Sequence, residues 1–318
     1  MIPTRYLLSQ GSALRAVGRA AVGSLVRSTQ RPVSLPGPWI EAELPPRSDD
    51  LVRAYLRHVG GDPSLYRGRV PPHFVPQWGF ELVGRALAQS GYPLTRIINA
   101  GFRLENHEPL ASGETLFVKA RLESVEDDGR RAKLVARAIT GTRYGSEALV
   151  AEWRTYVPLA SAGKRGSNSG SVNGKNGAKT PSPPQGRPPA VVPASAREIA
   201  YFRLKKNAGL DFAKLTGDIN PIHWVPALAR AAGFRSCILH GFSTFARAYE
   251  AVVRNVFSGN VDAIRTMEAR FTRPLVLPAA VGVYVGGSVL DGGDVYVGDA
   301  PGAGAYLEGQ FETHAVEE

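Results

Sequence analysis

Leu215-Thr216-Gly217-Asp218-Ile219-Asn220-Pro221-Ile222-His223 is the stretch whose reading decides the fold. It sets a carboxylate and an imidazole five positions apart around an Asn-Pro turn. A site that holds one water between a base and an acid needs that pair of groups at a fixed separation. Pro221 fixes its own φ, and Asn220 can bond the loop to itself, so the turn should be stiff. Asp218 and His223 are therefore the candidate catalytic pair. The competing reading makes Asp218 a helix N-cap or turn residue ahead of a helix near Pro226.

Working outward, His240-Gly241-Phe242 opens a helix in which Phe242, Phe245, Tyr249, Val252, Val253 and Val256 recur at helical spacing. An earlier segment echoes it. Gly79-Phe80 followed by Arg85-Ala86 matches Gly241-Phe242 followed by Arg247-Ala248, and Phe80, Val83 and Leu87 share a helical face. Pro109-Leu110 matches Pro274-Leu275, and each precedes strand-like alternation, over 116–122 and 281–285. Each half therefore reads as a long apolar helix followed by antiparallel strands that wrap it, an α+β class in two copies.

The sharpest boundary is compositional. Residues 161–193 are rich in Gly, Ser, Asn, Lys and Pro, which predicts a flexible linker between a repeat at 40–160 and a second at 194–318. Residues 1–39 form a basic segment. Leu14, Val17, Ala21 and Leu25 favour a docking helix there, while the Arg-rich, acid-free composition of 1–35 also fits a mitochondrial transit peptide.

The net charge of +10 comes from these two segments, each with five basic residues and no acid, so the remainder is neutral. A neutral body does not fit a phosphate-backbone binder, and nucleic acid is not expected as a partner. No apolar run is long enough to span a membrane. One cysteine, Cys237, excludes an internal disulfide and a cysteine-only zinc site. It lies in an apolar run and reads as core, and the expected setting is the cytoplasm, or the mitochondrion if 1–35 is a transit peptide.

The segment Leu215 to His223, with Ala227 and the His240-Gly241-Phe242 helix start, resembles the hydratase-2 signature of MaoC-like acyl dehydratases, the (R)-specific enoyl-CoA hydratases. The first half, which has no such motif, resembles the degenerate repeat of the double hot-dog members. The resemblance implies a double hot-dog fold and a thioester substrate on coenzyme A or acyl carrier protein. It implies reversible addition of water across a 2,3-double bond to give a (3R)-hydroxyacyl product, with no cofactor. Such a chain contains the pair of hot-dogs that single-domain relatives build by dimerising, so a monomer and a homodimer both remain open.

The chemistry agrees with that implication. Hydration of an enoyl thioester needs an oxygen nucleophile at C3, a proton for C2, and stabilisation of charge on the thioester oxygen. Asp218 and His223 can hold the water and exchange its proton. Gly241 can offer a backbone N–H at a helix N-terminus, with close approach permitted by the missing side chain. His240 is a candidate wall residue. Asp218, His223 and His240 could in principle ligate iron, but nothing in the sequence fixes their supporting partners, and no metal is assigned. Trp78 is expected where the second half has His240, and Trp78 and Phe80 are candidate walls of an acyl tunnel. Arg230, Arg235 and Arg273 are candidate phosphate partners. The alternatives are an acyl-CoA thioesterase, since one fold hosts both chemistries, and a non-catalytic acyl-thioester-binding partner.

Overall fold

The computed structural model describes residues 2–8, 34–159, 189–289 and 291–314. Ten strands form one antiparallel sheet in the order β1-β3-β4-β5-β2-β7-β10-β9-β8-β6. The first five are β1 Ile40–Leu44, β2 Ile98–Asn106, β3 Leu116–Asp127, β4 Arg131–Gly141 and β5 Leu149–Pro158. The others are β6 Arg197–Leu204, β7 Ile264–Phe271, β8 Ala279–Gly286, β9 Gly292–Gly298 and β10 Ala305–Thr313. The halves meet where β2 pairs with β7, from Gly101 opposite Arg270 to Glu105 opposite Thr266. The expected double hot-dog is thus a continuous sheet with its two helical layers on one core.

Among the described residues six α-helices accompany it: α1 Arg5–Leu8, α2 Asp49–Val59, α3 Pro76–Ala88, α4 Ala208–Thr216, α5 Pro226–Ala231 and α6 Gly241–Asn255. Helix α6 is the apolar helix read from the sequence. Phe242, Phe245, Tyr249, Val252 and Val253 are all buried along it. Phe102 of β2 meets the rings of both Phe242 and Phe245 edge-on at 5.1 Å, and Phe80 of α3 meets Phe242 at 5.3 Å. These edge-to-face contacts join the two halves through one apolar core.

Two expectations need correction. Gly79 does not open α3, which starts at Pro76 after a 3₁₀ turn at Pro72–Phe74. Nor does Trp78 stand in the place of His240. Val70 N donates to Leu110 O at 2.8 Å just as Leu239 N donates to Leu275 O at 2.8 Å. Isolated bridges Arg69–Ala111 and Ile238–Val276 flank these bonds in the same way. Pro71 therefore corresponds to His240 and Pro72 to Gly241. The Gly-Phe echo is displaced by about seven residues, two helical turns, which leaves the apolar face in phase and hides the shift.

Residues 190–193, at the end of the expected linker, are anchored: Val192 is fully buried and its N–H donates to Ala303 O at 2.9 Å. Residues 161–188 and the expected docking helix through Leu14 to Leu25 lie outside the described residues. Residues 2–8 pack on α4, with Ile2 N donating to Asp211 Oδ1 at 3.0 Å and Lys214 Nζ to Ile2 O at 2.9 Å. No helix among the described residues is long and apolar enough to cross a membrane.

Candidate active site

Helix α4 ends on Gly217 at φ +78°, a left-handed conformation that glycine adopts without side-chain strain. The reversal delivers Asp218 to the turn. Asn220 Oδ1 accepts from Ile222 N at 3.3 Å, and His223 N closes on Asn220 O at 3.2 Å, so the Asn-Pro turn does bond to itself. Pro221 and Pro226 each stand at the first position of a helical turn. Asp218 itself caps neither turn. Its carboxylate does accept from the backbone N–H of Asn220 two residues on, the Asx-turn bond of the competing reading.

His223 is buried, and its Nδ1 lies 2.8 Å from Ile238 O. A carbonyl oxygen only accepts, so Nδ1 carries the proton and Nε2 keeps the lone pair in the neutral ring. Ile238 is in turn held by its own N–H on Ile222 O at 3.3 Å. Gly209 of α4 allows this packing, since a Cβ there would lie 2.1 Å from His223 O. His240 stacks on His223 with centroids 3.6 Å apart and planes 27° from parallel. Its Nε2 lies 3.0 Å from Asp218 O and 3.9 Å from Asp218 Oδ2. The ring of Phe212 covers it at 4.9 Å. The structure thus brings Asp218, Asn220, His223, His240 and Gly241 together.

Electrostatics follow from burial. Desolvation raises the Asp218 carboxyl above its ordinary value, opposed by His223 and by the Asn220 N–H. Desolvation lowers His223, opposed by Asp218 and by the Ile238 carbonyl. His240 is held well below the ordinary histidine range by burial and by His223. Both rings are therefore neutral near pH 7. Asp218 keeps 21% of its side chain exposed, against 1% for His240.

A carboxylate oxygen of Asp218 and one ring nitrogen of each histidine lie within 4.8 Å of one another. This is close enough for a cation, but the donors do not fit one. An imidazole ligates in its own plane, and two rings stacked at 3.6 Å do not direct lone pairs to a common point. His240 Nε2 is also committed to a carbonyl.

Gly241 begins α6, where helix geometry leaves its N–H without an intrahelical acceptor. On its Cβ side the glycine is required by packing, since a Cβ would stand 2.9 Å from the ring of Phe271. Trp78 is buried in the first-half core, donating Nε1 to Thr140 Oγ1 at 3.0 Å, while Phe80 reaches Phe242 beside the site. Arg273 is held by Asp299 at 2.9 Å and by the Tyr306 ring, whereas Arg230 and Arg235 are exposed. The sequence reading missed Ile238, whose contribution is a backbone carbonyl, and Phe212 and Phe271, which read only as generic core residues.

A family profile described as a MaoC like domain matches residues 189–288. The chain is 28% identical over 282 residues to 3-hydroxyacyl-thioester dehydratase X of Mycobacterium tuberculosis, covering 87% of this chain and 90% of the relative. It is 32% identical over 168 residues to the peroxisomal enoyl-CoA hydratase 2 of Arabidopsis thaliana, covering 53% of this chain and 52% of the relative. The chain thus spans about half the length of the plant protein. Among solved structures, a MaoC-like dehydratase from Phytophthora capsici superposes with a TM-score of 0.66 at 16% identity, over 89% of this chain and 97% of the other, a likeness of fold.

Proposed function

Because this chain is a double hot-dog protein with a MaoC-like domain, we propose that it is a hydro-lyase that adds water reversibly to trans-2-enoyl thioesters, with Asp218 and His223 holding the water. The observation that carries the reading is the tying off of His223 Nδ1 by the Ile238 carbonyl at 2.8 Å, which leaves Nε2 as the acceptor of a ring packed close to the Asp218 carboxylate. Two acceptors that share one water stand about 4.5 Å apart at ordinary hydrogen-bond lengths. A carboxylate oxygen of Asp218 and a ring nitrogen of His223 lie no more than 4.8 Å apart, a separation that one water can bridge. A water that donates one hydrogen to each acceptor presents its remaining electron density to C3.

The reaction then balances simply. The water oxygen bonds to C3 as one of its protons passes to the Asp218–His223 pair. The π electrons of the double bond move toward the thioester oxygen, where the N–H of Gly241 and the helix dipole stabilise the charge. The proton held by the pair is returned to C2, giving the 3-hydroxyacyl thioester, of (3R) configuration by the family resemblance. His240 serves as a neutral wall that fixes Asp218 through its carbonyl and His223 through the ring stack. On this reading 194–318 is the catalytic repeat and 40–160 the non-catalytic one. Exposed Arg230 and Arg235 are the phosphate partners for coenzyme A or acyl carrier protein, and the single buried cysteine fits a reducing compartment such as the cytoplasm.

The test is hydration of crotonyl-CoA and of a medium-chain enoyl-CoA, with product chirality and free thiol measured in parallel. Formation of the (3R)-hydroxyacyl thioester without thiol release is the expected result. Thiol release would make the protein a thioesterase, and binding without turnover would make it an acyl-thioester-binding partner.

A further inference from the structure

The first half keeps the backbone of the active site with its chemistry removed. Helix α2 ends on Gly60 at φ +89° as α4 ends on Gly217 at φ +78°. Counting from these glycines, Gly61 takes the place of Asp218 and Tyr66 that of His223. Tyr66 N closes on Pro63 O as His223 N closes on Asn220 O. The backbone bonds of Val70 and Leu239 put Pro72 in the place of Gly241. Pro72 has no N–H. The counterparts of the carboxylate, imidazole and oxyanion donor are therefore missing from these positions.

The cavity, however, is present. A space of about 360 Å³ lies at this position, lined by Tyr66, Val70, Pro72 and Leu110, the counterparts of His223, Leu239, Gly241 and Leu275. This volume lies within the range of small-molecule sites. Its inner wall is braced by Glu250 of α6, a fully buried residue. Glu250 Oε1 accepts from Tyr66 Oη at 2.7 Å and lies 2.8 Å from His73 Nε2, and a Cβ on Gly61 would meet its carboxylate at 2.7 Å. Asn106, also in the lining, donates Nδ2 to Tyr249 Oη at 2.9 Å and to Ile264 O at 2.8 Å. Its buried Oδ1 has no partner among the described residues. The site therefore combines apolar walls with the polar residues Arg69, His107, Glu108, Asp262 and His314.

We propose that this cavity is a second acyl-thioester site, one that binds without turnover. The acyl chain lies against Val70, Leu110 and Leu149. The proposal rests on the thioester-hydratase reading of the second half, whose backbone turns this region repeats.

Calorimetric titration with octanoyl-CoA, a saturated thioester that cannot be hydrated, tests it. Val261 lines the cavity and is half-buried, so Val261→Trp should fill it. The expected result is two equivalents bound by the unmodified chain and one by Val261→Trp, with enoyl-CoA hydration by the variant unchanged. One equivalent in the unmodified chain overturns the proposal, and this result does not depend on whether the variant folds. Two equivalents retained by a folded Val261→Trp also overturn it. Failure of the hydratase reading appears separately, as absence of enoyl-CoA turnover in the unmodified protein.

Discussion

His223 Nδ1 lies 2.8 Å from the carbonyl oxygen of Ile238, and this one bond sets which nitrogen of the ring is left to accept a hydrogen bond. The expected tautomer is Nδ1–H with Nε2 unprotonated. Nitrogen-15 NMR of the histidine rings at pH 7 checks it. A His223 signal with Nε2 protonated would remove the acceptor on which the proposed water depends.

The pH dependence of kcat/KM follows from burial. The proposed mechanism needs Asp218 ionised and His223 neutral. The Asp218 value is raised above 3.8 and the His223 value is lowered below 6.5, so each limit moves inward. The acid limb is expected between pH 3.8 and 6.5, with a plateau through neutrality. A midpoint above the ordinary histidine value would contradict the assignment.

Stability should fall on the same acid side. Burial lowers His223 and His240 and holds His58 down to about 3, its desolvation reinforced by Arg247. Unfolded, each takes up a proton near pH 6.5; folded, each resists it until lower pH. The unfolded state therefore binds more protons below about pH 6.5, and Tm should drop between pH 7 and pH 5. Each histidine contributes a slope of up to about 1.4 kcal/mol per pH unit. Asp218 acts in the opposite sense between 3.8 and its raised value, which reduces the loss at the lowest pH. Calorimetric Tm values across that range measure the effect. A flat profile would mean that the histidines are solvated.

Gly209→Ala places a Cβ where His223 O stands at 2.1 Å. Overpacking of this kind costs about 1–3 kcal/mol. Because the backbone of His223 has to move, hydration should fall together with Tm. A variant with lower Tm but unaltered kcat/KM would show that the position of the ring does not depend on this contact.

Asn220→Ala removes the acceptor for Ile222 N at 3.3 Å while leaving the Asn220 N–H on Asp218. Loss of such a cap costs about 1 kcal/mol. A modest fall in Tm with a larger fall in kcat is expected, since the turn sets the separation of Asp218 from His223. Equal activity would reduce Asn220 to a structural residue.

The sequence was most legible where one periodicity acted alone. Helix α6 followed from Phe242, Phe245, Tyr249 and Val252, and β8 from the alternation at 281–285. The proximity of Asp218 and His223 followed from a local turn. The correspondence between the halves was misread at Gly79 because a shift of two helical turns preserves the apolar face, and only the backbone bonds of Val70 and Leu239 reveal it. The Ile238 carbonyl and the burial of Glu250 beside His73 and Tyr66 depend on contacts across long sequence separations. Side-chain identity at a single position carries no mark of these.

The central claim is that Asp218 and His223 act on one water as a unit. The most direct measurement is kcat/KM for enoyl-CoA hydration by the unmodified protein, Asp218→Asn, His223→Ala and the double variant. The account predicts losses of about 10²–10⁴-fold in each single variant and little further loss in the double, because either change alone removes the held water. Losses that multiply in the double variant, or either single variant keeping near-normal activity, would contradict it.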